Sequence, residues 1–122
     1  MLGYLLIIMA GLFYANFWEW AIHKHLLHGK SAKTNKSVLS FHWTSHHRTC
    51  RKNDNHDNEL YVLEIVALTG ALLFHLPLLY LSKVFYCTLA YCVLNYYFKH
   101  RTAHKDVEWC KRHMPWHFDH HM

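Results

Sequence analysis

The sequence has no CxxC pair, no GxSxG elbow and no glycine-rich dinucleotide fingerprint, and each absence removes a class of function. Without paired cysteines, Cys50, Cys87, Cys92 and Cys110 suggest neither a zinc ribbon nor a disulfide framework, and they read as free thiols. Without the elbow, or a cysteine in an activated setting, nucleophilic catalysis has no support. Without a dinucleotide loop, redox chemistry would need electrons from a separate partner. Acidic residues are also scarce, 8 against 13 Lys and Arg, which leaves a net charge of +5.

What is present is apolar residue in blocks. The 122 residues suit one domain, and 52% hydrophobic with 16% aromatic content argues against disorder. Met1 to Ile22 is one block, with Asn16 and Glu19 its strongly polar members. Leu60 to Phe98 is the other, broken by Glu64, His75, Pro77 and Lys83. Blocks near twenty residues match a bilayer core of about 30 Å. The first lacks a basic leading region and a small-residue cleavage site, so it reads as a retained helix, and Trp18 and Trp20 suit a membrane interface. Pro77, then Ser82 and Lys83, divide the second block into a hairpin. The expected fold is all-α, an integral membrane helical protein with about three membrane helices, near 2–22, 60–76 and 84–98, and a cytoplasmic histidine-rich metal-binding cap.

Histidine is the residue in excess, with 14 in the chain. His100 and His104 are four apart, as are His117 and His121, with His120 between them, so each set projects from one side of a helical turn. His42, His46 and His47 make a four-residue step and then an adjacent pair that splays around a helix. His23 and His28 are five apart, which does not place them on one face of a regular helix. Either the helix ends or distorts there, or His25 and His28 are the true pair. Glu19, one turn before His23, is either an acceptor for a ligand's second N–H or an ordinary interfacial acid.

With one span before His23 and a two-span hairpin between His47 and His100, all the histidine groups emerge on one side. Twelve of the 13 basic residues fall on that side and Lys83 alone on the other, so the positive-inside rule makes it cytoplasmic, at the endoplasmic reticulum or a bacterial inner membrane. The charge is then explained without nucleic acid, with anionic lipid head groups as the other use of the basic loop. His75 falls at the opposite end and is expected not to be a ligand. His56 reads as solvent-exposed, and His25 and His113 as supporting or surface residues. Ten candidates remain: His23, His28, His42, His46, His47, His100, His104, His117, His120 and His121. Ten exceed the four ligands of a tetrahedral zinc and suit two metals with five or six ligands each. Imidazole alone does not choose between iron, zinc, copper and nickel. A histidine-rich buffer would carry its residues in one flexible tract, whereas these are spread over four segments.

EWAIHKHLLHG, FHWTSHHRTCRKN, HRTAH and MPWHFDHHM, in that order, resemble the histidine boxes of the fatty acid hydroxylase and sterol desaturase superfamily. The resemblance covers nearly the whole chain and implies a single membrane domain over residues 1–122 that holds two iron ions, with zinc able to replace them. It implies an O2-dependent hydroxylase or desaturase acting on a membrane lipid (a fatty acyl chain, sterol or carotenoid) with an external electron donor. By the box pattern the ten histidines above are the ligands, with Glu19 and Asp119 as carboxylates behind them. Relatives continue past the last box, so the resemblance also implies a chain shortened at its C-terminus, and a second copy or partner subunit is expected to complete the wall of a substrate tunnel. The contrasting expectation is a non-catalytic histidine-rich dimetal protein, holding zinc, in the membrane.

Overall fold

The computed structural model describes residues 1–122 and contains helices and turns without strands. The chain divides into two compact units, one of Met1–Trp20 with Tyr61–Tyr96, the other of Ala21–Leu60 with Tyr97–Met122. Two helices run from one unit into the other: α1 (Leu2–Ile22) and α6 (Lys83–Lys105).

Besides its parts of α1 and α6, the first unit holds α4 (Val62–Phe74) and the short α5 (Leu78–Leu81). α1 is apolar all round, and Gly11 is its one buried residue. A Cβ at Gly11 would lie 3.0 Å from Cγ2 of Thr88, so the missing side chain lets α1 approach α6. Pro77 follows the end of α4, and the extended Ser82 breaks the chain before α6, where its hydroxyl accepts from the amide of Phe85 at 3.2 Å. His75 is tied within this unit: Nδ1 donates to the Ala71 carbonyl at 2.7 Å, which leaves Nε2 to accept from the Tyr14 hydroxyl at 2.9 Å. Most of the unit's large apolar side chains face outward, among them Leu5, Phe13, Phe17, Val66, Phe74 and Tyr91.

The expectation of about three membrane helices is corrected by these lengths. One continuous helix, Leu2–Leu27, is long and apolar enough to cross a bilayer. α4 has 13 residues, a rise of about 20 Å against a core of about 30 Å. α6 has the length, 23 residues, but does not stop at Phe98; it runs on through Lys99, His100, Arg101, His104 and Lys105, and its composition is not that of a span. The hairpin argument for gathering the histidines therefore falls.

The second unit gathers them by its own packing. It contains α2 (Lys30–Lys33), a 3-10 turn at Val38–Ser40, α3 (Arg48–Lys52), the end of α6, α7 (Val107–His113) and α8 (Pro115–His121). Two stretches are π-helical, His23–Leu27 and His42–His47. Caps fit the sequence locally. Ser37 and Ser40 form a reciprocal capping box, Asp106 accepts from the Trp109 amide at 2.8 Å, and Pro115 occupies the first turn of α8. The interior is unusual in chemistry. Its fully buried larger side chains are His47, His121, Asn55, Asp57, Cys50 and Cys110, with the apolar Ala32 and Ala103 as fillers.

Candidate metal centre

The π segments decide which histidines face inward. An α-helix advances about 100° per residue, so residues five apart point away from each other. A π turn bonds residue i to i+5 and winds more residues into each turn, which stacks them instead. The amide of His28 bonds the carbonyl of His23 at 3.0 Å, and the two rings meet with centroids 4.7 Å apart. In the second π segment His46 and His47 straddle His42, with centroids 5.3 and 5.0 Å from it. α6 contributes His100 and His104, four apart and with centroids at 4.9 Å, and α8 contributes His117 and His121 at 4.5 Å. His120, next to His121, turns toward His23 and His28.

Two groups result. His23, His28, His42 and His120 bring one ligand atom each within 4.8 Å of one another, and so do His100, His104, His117 and His121. His47 joins the first through Nε2, 3.1 Å from Nε2 of His28; His46 joins the second beside His104 and His121. The set His47, His120 and His121 links the two groups.

The close contacts are between like atoms. Nε2 of His120 lies 3.0 Å from Nε2 of both His23 and His28, and Nε2 of His117 lies 3.0 Å from Nε2 of His104. One nitrogen of a neutral imidazole either donates or accepts, so a chain running His23, His120, His28, His47 through single Nε2 atoms has more contacts than its protons can satisfy. Buried nitrogens without a hydrogen-bond partner accompany it: Nε2 of His42, Nδ1 of His47 and both ring nitrogens of His121. Such groups are costly to bury unpaired. A shared cation removes the conflict. Two nitrogens about 2.1 Å from one ion stand about 3.0 Å apart at right angles and about 3.4 Å apart in a tetrahedron. The four contacts at 3.0–3.1 Å are separations that neighbouring ligands of one ion adopt, and the other ligand atoms of each group lie within 4.8 Å of one another.

Burial also lowers the proton affinity of most of these rings, which favours the neutral form that ligates. Burial, then the neighbouring His120, pushes His28 down to about 4. Burial and His100 push His104 down to about 3. Burial with nearby rings lowers His47 to about 2 and His117 to about 2, and drives His42, His100, His120 and His121 down as well.

Support for the rings comes from the loop between α3 and α4. Asp54 and Asn55 adopt positive φ of 49° and 69°, a conformation that Asp and Asn tolerate, and the chain doubles back there. The Asn55 carbonyl then accepts from Nδ1 of His104 at 2.9 Å, and Oδ2 of Asp57 lies 2.8 Å from Nδ1 of His46. Asp57 is itself anchored: its amide donates to the His104 carbonyl at 3.1 Å, and its Oδ1 accepts from the Glu59 amide at 2.9 Å. Both contacts leave Nε2 of the ring for a metal. Composition concealed Asp57, because NDNHDN reads as a solvated turn; its alternation of Asn and Asp beside a histidine box was the available signal.

Cys50 also reaches the group, with Sγ 3.5 Å from Nδ1 of His104 and 3.9 Å from Nδ1 of His46. Those nitrogens face Asn55 and Asp57, so the sulfur stands behind the rings. Burial, and then the adjacent Asp57, pushes the thiol up to about 12; His46, Cys50, His104 and His121 nevertheless bring one possible ligand atom each within 4.8 Å of one another. Asp119 is exposed and hydrogen-bonds no ring, and Glu19 belongs to the first unit. His56 and His25 are exposed, and His113 stacks on Trp109 at 4.9 Å, outside both groups.

Comparison with known protein families, with curated proteins and with solved structures finds no match. The chain carries compact histidine clusters able to chelate one or two metal ions. They have histidine-box character in general.

Proposed function

We propose that this protein binds two divalent metal ions side by side in pockets of imidazole. His23, His28, His42, His47 and His120 would hold one ion, and His46, His100, His104, His117 and His121 the other. The observation that carries this reading is the set of imidazole nitrogens facing one another at 3.0–3.1 Å beside buried nitrogens without a hydrogen-bond partner, which a cation reconciles and a proton does not. Localisation at a membrane is part of the proposal. α1 and the outward-facing apolar side chains of its unit support it. Seven Lys and Arg lie from Lys24 to Lys52, directly after α1, so the charge rule favours the cytoplasmic face for the histidines. Elemental analysis of detergent-purified protein tests the reading. Two equivalents of iron or zinc per chain are expected, and metal below one equivalent after loading would sink it.

A second reading rests on a particular feature of the same geometry. Five imidazoles around a six-coordinate ion would leave one position open, where zinc structural sites are closed. Together with the box resemblance, this favours an O2-dependent oxygenase acting on a membrane lipid, with electrons from an external donor protein and a second copy to enclose the substrate. Iron in such a site supplies oxidation of unactivated C–H bonds; the chain's own residues bind it, orient its ligands and keep them neutral. Lipid profiles of cells with and without the protein separate the two. A lipid that gains one oxygen atom supports the oxygenase, and an unchanged profile with stoichiometric zinc leaves the binding protein.

A further inference from the structure

The two positions differ in everything around their ligands. In the second group four of five rings are buried, namely His46, His100, His104 and His121. Two of them are oriented from behind, His104 by a backbone carbonyl and His46 by the carboxylate of Asp57, which is only 2% exposed. Asp57 is held in turn by α6, where Arg101 donates to the carbonyls of Asn58 and Glu59 on the same loop.

The first group is open and carries the opposite charge nearby. His42 and His47 are buried here too, but His23 and His28 are half-buried and His120 is exposed. Trp43 forms its outer wall, with ring centroids 5.3 Å from His28 and 5.2 Å from His47. The cations of Lys33 and Arg51 lie over that indole, 4.7 and 4.9 Å from its centroid. A dication bound beside Asp57 gains an attraction, whereas one bound beside Lys33 and Arg51 meets repulsion. Carboxylate support behind a ligand histidine typically alters metal affinity by about 10–100-fold.

We propose that the two metal positions are unequal: Asp57 makes the buried one a retentive site, and Lys33 and Arg51 make the open one an exchangeable site that admits a small anionic ligand. Asp57 is a positioning residue that acts through His46, and the inference rests on the dimetal reading above.

Cobalt(II), whose visible spectrum reports its ligands, tests this on the full chain in detergent. Competition with a chelator should remove the two equivalents in two steps separated by at least about tenfold in affinity. Azide should perturb the spectrum of the first equivalent to leave and not of the second. Asp57→Asn should weaken the retained step by about 10–100-fold and shift its spectrum, with recovery in Asp57→Glu. Lys33→Gln with Arg51→Gln, both at exposed positions, should slow release of the first equivalent and leave helix content unchanged. Two equivalents leaving in one step would overturn the inference while leaving the dimetal reading intact. So would release kinetics unmoved by removal of the two cations. A chain that takes up no cobalt at all would overturn the dimetal reading and the inference with it.

Discussion

An imidazole can serve a metal only when its proton is elsewhere, and the second unit arranges this residue by residue. Asp57 and the Asn55 carbonyl occupy Nδ1 of His46 and His104, so Nε2 is the nitrogen left facing inward. His75 is a histidine of the other kind. Its two nitrogens are already committed to Ala71 and Tyr14, and it belongs to the first unit. His46→Ala is therefore expected to remove at least one equivalent of bound metal. His75→Ala should leave the metal content at the wild-type value while losing the Tyr14 hydrogen bond, worth about 1 kcal/mol. Elemental analysis of the two variants checks the contrast, and metal loss in His75→Ala would contradict the placement of the site.

At the scale of elements, the π turns convert awkward spacings into ligand faces. The turn His23–Leu27 is followed by Gly29, where a Cβ would collide with the carbonyl oxygen of His25. Gly29→Ala should cost about 1–3 kcal/mol in chemical denaturation, because backbone cannot give way as a side-chain tip does. It should also displace His28, weakening the open site before the buried one. Gly70→Ala, in α4 with nothing within 4 Å of the added Cβ, should instead stabilise by about 0.5–1 kcal/mol through helix propensity. Equal effects of the two substitutions would show that the tight exit from the π turn is not under constraint.

For the molecule as a whole, the consequence of an imidazole core is that stability follows protons and metal. The folded-state values of His28, His104 and His117, about 4, about 3 and about 2, lie below their ordinary 6.5. Between pH 6.5 and those values the unfolded chain binds protons that the folded chain refuses, so folding stability of the metal-free protein falls as pH drops through that window. Denaturant midpoints measured from pH 7 to pH 4 should decline steadily; a flat profile would mean that the rings are not buried together. Metal acts in the opposite sense. Each ion bound to the folded chain alone adds about 2.7 kcal/mol at a hundredfold excess over its dissociation constant, so chelation should lower the melting temperature.

The excess and local spacing of histidine, the break at Pro77 and Ser82, and the apolar α1 are legible in the sequence because they depend on residue type and local spacing. Caps such as Asp106 and the Ser37–Ser40 box, which the sequence reading did not single out, are also local, since each is satisfied within a few residues. The number of spanning helices was not legible. It turns on the 13-residue length of α4 and on where α6 ends, and α6 continues through a polar stretch where His100, Arg101 and His104 find partners inside the second unit. The pairing of His23 with His28 likewise needed the π hydrogen bond, a backbone choice that side-chain periodicity does not encode. Residue chemistry thus determined by itself that this chain carries histidines at spacings suited to chelation. Only the tertiary structure decided how the set divides in two and that Asp57 stands behind one half, because both follow from contacts between segments as distant as His28 and His120.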